Sequence, residues 1–368
     1  MKKINKSFLM GKWLVLLSVF VLCSIMCILY FLSDNIIKKQ EDQHMSTRWS
    51  PDGSSAHISC FFSVNTKILP DYLEDFGHVL DDALEQASIT QDSPNANARL
   101  WVDAYSATGQ IIMKSNMEQI KADAIGIGGD FFLFHPVKLL NGAYFSGNDI
   151  MQDYCVLDED AAWQLFGSND IAGQIVYIGD VAHVVSGVIK KEESDLYKAA
   201  GLDGSLVYVS YSTLIKYGNA TGINHYEIVM PNPVKGYAKS YVEGAIGVEQ
   251  SEMEIIENSD RYSLYNRIAH ISKLSNRAMN GKAIIYPYWE NVARATEDKL
   301  AVIMCFQLIF LCLFSIILFV FLVIWRKKVK RSMKDIFLRL YDGMQVKISG
   351  MITGLKRLKN GKNKKREQ

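Results

Sequence analysis

Cysteine is too scarce in this chain for a secreted disulfide scaffold. Of six cysteines in 368 residues, Cys23, Cys27, Cys305 and Cys312 fall in apolar runs, and Cys60 and Cys155 alone lie outside them. That excludes a disulfide framework. Two buried thiols are the commoner arrangement for such a pair, and a single Cys60–Cys155 bridge is the alternative. No C-x-x-C and no His-rich spacing suggests a zinc site. Walker, G-x-S-x-G and metal-binding helix signatures are also missing. AIGIGGDFFLF at 124–134 lacks both the Gly-Lys-Ser/Thr ending and the G-x-G-x-x-G spacing, so it reads as a turn between a strand and a short helix. We therefore expect a protein that is not an enzyme and has no catalytic, cofactor-binding or metal residues.

Charge is missing from two long runs. Trp13–Leu32 is twenty residues without a charge, and Leu300–Trp325 is twenty-six with Gln307 as its one strongly polar side chain. Each suffices to cross a hydrocarbon core of about 30 Å as a helix. The first run exceeds a signal-peptide core of roughly 7–15 residues and ends in Tyr30-Phe31-Leu32 rather than at small residues, so an uncleaved anchor is expected.

Charge of one sign is equally uneven. Residues 1–33 carry four lysines and no acid, and residues 326–368 carry fifteen Lys and Arg against three acids, a net of +12. The middle, 34–325, has a net of −15. Positive flanks stay cytoplasmic. The expected layout is a basic cytoplasmic N-terminus (1–12), a first span (13–32), an extracytoplasmic domain (33–299), a second span (300–325) and a basic cytoplasmic tail (326–368) in the plasma membrane.

Within the exported region, a connector precedes a strand in 56–68. Pro70 then opens a helix with Tyr72, Leu73, Phe76, Val79, Leu80, Ala83 and Leu84 at helical spacing. Arg99–Ala107 and Gln110–Met113 read as a hairpin turning at Thr108-Gly109. From about 140 to 210 short strands with frequent glycines predict a β-rich part. Past Tyr226 the texture returns to strand and helix, with helices around 236–248 and 261–279 and a last strand at 283–286. The fold class expected is α+β: an α/β part (56–135 and 222–290) with an inserted β-rich part (136–215), held between two transmembrane helices. Neither Gly nor Pro occurs from Tyr288 to the second run, so one helix is expected to continue from outside into the span.

CVLDEDAAWQLFGSND at 155–170 concentrates acids, but position explains them. Asp158 suits the N-cap of a helix over 159–166, with Glu159 and Asp160 in the first turn where the helix dipole favours anions. Gly167 suits its stop and Gly173 the turn that follows. His135 and His183 read as packed or hydrogen-bonded histidines. In the tail, Met333, Ile336, Phe337 and Leu340 share one helical face among basic residues, a surface for the inner leaflet or a cytoplasmic partner. No aromatic platform accompanies the basic residues, so nucleic acid is not expected as a partner.

YCVLDEDAAWQLFGSNDIAGQIVYIG at 154–179 resembles the strand–helix–Phe-Gly–Asp-x-x-Gly–strand signature of the MacB-like periplasmic core domain found in ABC-transporter permeases of the MacB/FtsX type, LLNGAYFSGNDI at 139–150 resembles its glycine–aromatic strand entry and VVSGVI at 184–189 its returning strand. On this resemblance Gly142, Asp158, Phe166, Gly167, Gly173 and Gly187 are structural motif residues. The resemblance implies an ABC ATPase and further permease subunits as partners, with homodimerisation, and no nucleotide bound by the chain itself. Such permeases usually have three spans after the domain, whereas one is legible here. The expected function is thus a reduced, permease-like subunit coupling an ATPase to an exported domain; the alternative is a membrane-anchored sensor or binding module.

Overall fold

A computed structural model describes residues 6–90, 98–274 and 283–364. The chain divides into two compact units, one of residues 1–30 and 306–368 and one of residues 31–305. The first contains most of α1 (Lys6–Lys38) and of α10 (Tyr288–Lys364). These are two helices long and apolar enough to cross a membrane. Trp13, Phe20, Ile28, Ile316, Phe319 and Ile324 are all exposed on them; large apolar side chains in such numbers are stable facing lipid rather than water.

The second unit is built on one sheet of ten strands. After a 3₁₀ turn (Glu41–Gln43) and α2 (Met45–Trp49), β1 (Ser55–Phe62) enters the sheet and α3 (Pro70–Gln86) packs on it. Leu73, Phe76, Leu80 and Leu84 form the buried stripe of α3, while Tyr72 and Val79 stay exposed. β2 (Val102–Lys114) and β3 (Gln119–Gly129) follow, then α4 (Phe131–Phe134), β4 (Leu139–Gly142), β5 (Tyr154–Asp158), α5 (Glu159–Phe166), β6 (Ile175–Ile178), β7 (Val181–Ile189), α6 (Asp195–Ala199), β8 (Leu206–Ser210) and α7 (Tyr211–Tyr217). β9 (His225–Pro231), α8 (Tyr237–Ala245), β10 (Met253–Glu257) and α9 (Leu264–Ile271) precede α10.

The strand order is β10-β1-β9-β2-β3-β8-β5-β7-β4, with β6 pairing both β2 and β7. Only β3·β8 and β5·β7 are parallel among these pairs. Because β6 joins Met113 and Lys114 of β2 to β7, the pairings β2-β3-β8-β5-β7-β6-β2 form a closed circuit. Closure removes sheet edges, and the enclosed side chains Met113, Ile120, Leu157, Val176, Val185 and Val207 belong to one apolar core. Cys60 and Cys155 are both buried free thiols.

The expected hairpin at Thr108-Gly109 is not formed. β2 runs straight through, Gly109 pairing with Ala124. The turn comes at Ser115, whose Oγ accepts the backbone N–H groups of Met117 and Glu118 at 3.1 and 3.0 Å. Gly109 serves close approach instead. A Cβ there would sit 2.7 Å from Asn219 Oδ1, the atom that accepts the neighbouring Gln110 N–H at 2.8 Å, a use of strand glycine distinct from turning. The helix expected over 261–279 is the shorter α9, and its last residues, 275–279, lie outside the described ones. In place of a strand at 283–286 there is one bridge, Ser63↔Ile284.

Candidate functional site

The acids of the 155–170 stretch fasten α5. Asp158 accepts the backbone N–H of Ala161 at 2.8 Å and of Leu206 at 2.9 Å, so both carboxylate oxygens are used at the junction of β5, α5 and β8. Lys191 Nζ donates to Asp160 Oδ2 at 2.6 Å, and the Lys191 backbone N–H donates to Glu159 Oε1 at 3.1 Å. Gly167 ends the helix in the left-handed conformation, φ 68°, and Phe166 packs against the core. Gly142 and Gly187 are direct partners across β4 and β7. Gly173 lies at φ +86° with open space where a Cβ would point. In the tail Met333, Ile336 and Phe337 are exposed, and the side chain of Leu340 lies outside the described ones.

A second grouping escaped the sequence reading. The central strands β1, β9 and β2 are covered on both faces, so their buried residues sort by the pleat. Ala56, Ile58, Cys60 and Phe62 of β1 and Tyr226, Ile228 and Met230 of β9 share the core under α3 and α8. On the opposite face a buried polar group stands among apolar neighbours such as Val102, Ala104 and Val229: His57 and Ser59 of β1, His225 and Glu227 of β9, Ser106 of β2. Phe131, Phe134 and Trp289 cover that face, and His135, just past α4, projects into it.

Glu227 is the hub of the polar face. Its Oε2 meets His135 Nε2 at 2.5 Å, and its Oε1 meets His57 Nε2 at 3.1 Å and accepts Ser59 Oγ–H at 2.8 Å. His225 Nε2 stands 3.6 Å from Oε1, and no hydrogen bond reaches it. Behind the ring nitrogens, His135 Nδ1 lies 3.1 Å from Asp42 Oδ1 and His225 Nδ1 lies 3.3 Å from Ser106 Oγ. Burial disfavours charge on His135, but Glu227 and Asp42 outweigh it and lift its pKa to about 9. Burial pushes His225 down to about 4. Glu227, also opposed by burial, is held well below the usual carboxylate range, chiefly by His135. The resident ion pair is thus His135 and Glu227, with His225 neutral beside it. His183 is elsewhere, its Nε2 3.1 Å from Thr213 Oγ1.

The same face receives the start of α10. Trp289 is buried with its ring 4.3 Å from that of His135 and 5.2 Å from that of His225. The next residue, Glu290, is gripped by Arg261 through two bonds, Nη1–Oε2 at 2.6 Å and Nη2–Oε1 at 2.8 Å, and Arg261 also donates from Nε to Glu297 Oε1 at 2.8 Å. Arg294 Nε adds a bond to Glu290 Oε1 at 2.7 Å, and its guanidinium lies 3.8 Å from the Tyr286 ring centre. Burial raises the cost of charge on Glu290, but Arg261 and Arg294 keep it ionised, below the usual carboxylate range. Trp289, Ala293, Leu300, Ala301 and Met304 continue the docked stripe apolar and buried.

Residues 15–235 match the family model of the MacB-like periplasmic core domain. The chain belongs to that family. The matched range contains every glycine of the motif, Asp158 and the His57–His135–His225–Glu227 grouping; Arg261 and α10 lie beyond it. Over 148 residues the chain is 28% identical to the macrolide export ATP-binding/permease protein MacB of Chromobacterium violaceum, covering 40% of this chain and 22% of that one. Over 137 residues it is 25% identical to the MacB of Shewanella oneidensis, covering 34% and 20%. The alignments thus span about a fifth of the length of these relatives. Among solved structures, the periplasmic region of MacB from Actinobacillus actinomycetemcomitans is similar with a TM-score of 0.37 and 18% identity, covering 55% of this chain and 88% of that chain. The extracellular domain of the noncanonic ABC-type transporter YknZ from Gram-positive bacteria gives 0.35 and 14%, covering 54% and 99%.

Proposed function

We propose that this MacB-like core domain protein is a permease-like membrane subunit of an ABC-transporter-type complex. In this reading residues 33–299 are extracytoplasmic, both termini are cytoplasmic, and the chain relays the cycle of a separate ATPase to the exported domain for export or mechanotransmission. Residues 56–135 with 222–290 serve as the α/β part of that domain and 136–215 as its β-rich part. The observation that carries the reading is α10: the helix that holds the second apolar run begins as an integral piece of the exported fold, bolted there by Trp289, Glu290 and Glu297. A helix end fixed by a bidentate, fully buried guanidinium–carboxylate pair resists sliding. Such an element transmits tilt or rotation where a polar linker would absorb it. Family membership supports the ABC setting, because the relatives named above are ATP-binding/permease proteins.

The basic tail is the proposed contact with the ATPase and the inner leaflet, through Met333, Ile336, Phe337 and Leu340. Isolation of the full chain in mild detergent tests this: an ABC ATPase is expected to accompany it and to be lost when 326–368 are removed. Purification without an ATPase sinks the proposal, and a kinase or regulator in its place identifies a sensor instead.

A further inference from the structure

We infer that His135, His225 and Glu227 form a binding site for a single divalent transition-metal ion, zinc being the best match, inside the exported domain. One ring nitrogen each of His135 and His225 and a Glu227 oxygen lie within 4.8 Å of one another, and all three residues are buried. Two imidazoles and a carboxylate are a zinc donor set in which the ion keeps a further position for water or another ligand. Zinc–ligand bonds of about 2.0–2.2 Å place tetrahedral ligands roughly 3.4 Å apart. The His225 Nε2–Glu227 Oε1 separation, 3.6 Å, is already of that size.

Three features distinguish this cluster from an ordinary buried salt bridge. His225 Nε2 is buried, points at the carboxylate and has no hydrogen-bond partner, which is costly for a polar atom unless something else is to be bound. Each proposed imidazole ligand turns Nε2 inward and holds Nδ1 against a polar side chain, Asp42 for His135 and Ser106 for His225. That is the outer-shell arrangement that fixes tautomer and ring orientation at metal sites. Glu227 is itself oriented, by Ser59 and His57 at Oε1, and Ser59 is steadied by Asn258 Nδ2–H at 2.7 Å. Loading requires His135 to separate from Glu227 by about 1 Å to reach the tetrahedral spacing, the ligands binding as neutral imidazole and carboxylate. Asp42 is the member with solvent access, its side chain 24% exposed, so the exchange route runs past the 3₁₀ turn. The ion would tie β9 to α4 directly beneath Trp289, making the seat of α10 dependent on metal.

The test uses the full chain in detergent, stripped with a chelator and titrated with Zn²⁺ against a chromophoric competitor, with Co²⁺ as a spectroscopic probe. One tight equivalent is expected, with visible Co²⁺ bands of a low-symmetry, four- or five-coordinate site and a zinc absorption edge fitting two imidazoles and oxygen. Asp42→Asn weakens affinity 10- to 100-fold, His225→Gln and Glu227→Gln abolish the tight equivalent, and His183→Gln leaves it unchanged. No tight ion, several weak equivalents, or a tight equivalent surviving in folded His225→Gln or Glu227→Gln overturns the site. Should those two variants fail to fold, the wild-type absorption edge decides, and a shell without two imidazoles rejects it.

Discussion

Gly142 shows how much a single residue carries in this fold. It sits at φ +75°, and a Cβ there would lie 2.1 Å from the carbonyl oxygen of Ser186 and 2.8 Å from the Cα of Gly187. Both obstacles are backbone, so no side chain can yield. Gly142→Ala is expected to destabilise the core domain by more than the roughly 1–2 kcal/mol of left-handed strain alone. Gly173→Ala, with equal strain and open space, sets the baseline; thermal unfolding of the two variants gives the difference, and equal losses would refute the packing argument. Asp103 makes a prediction in pH. Burial raises its pKa to about 6, reinforced by Asp130 and opposed by Arg99. For an acid raised above its unfolded value, the stability it contributes is full below about pH 4 and is lost as pH rises through about 6. Asp103→Asn should therefore gain on the wild type between pH 5 and pH 7 in thermal unfolding, and a difference constant with pH would contradict this.

Among elements, α5 and the start of α10 were the most legible in the sequence because their determinants are local. Asp158 and Gly167 bracket α5 within ten residues, and the unbroken stretch after Pro287 announced α10. The polar face of β1, β9 and β2 was not legible for the opposite reason. His57-x-Ser59 and His225-x-Glu227 each show a period of two, the one available signal, but neither segment says that the other is its neighbour; strand register makes the site. Gly109 misled because a strand glycine beside threonine looks like a turn until Asn219, more than a hundred residues away, is seen to occupy its missing side chain. The docking of α10 also rests on long-range pairs. Arg261→Ala leaves Glu290 and Glu297 buried with less compensation, and a loss of about 3–5 kcal/mol is expected. Arg261→Met combined with Glu290→Gln and Glu297→Gln should lose much less, because the three buried charges go together and Arg294 keeps its bond to Glu254 at 3.0 Å. Chemical denaturation in detergent separates the two, and equal losses would mean the cluster is not acting as a unit.

For the whole molecule, the fold class and the family were readable from the glycine–aromatic motif and the two apolar runs, whereas the closed strand circuit through β6 was not, since a four-residue strand pairing two distant partners leaves no periodic trace. In the proposed relay, the core domain and the apolar helices act together through α10. Removing the charged lock as a unit, with Arg261→Met, Glu290→Gln and Glu297→Gln, leaves both apolar helices and the basic tail in place while loosening the seat of the first turns of α10. The decisive measurement is the ATP turnover of the ATPase co-purified with the full chain, wild type against this triple variant, in the same lipid. If α10 relays the cycle, the ATPase stays bound in equal amount while its turnover shifts by several-fold. Equal binding with unchanged turnover would contradict it.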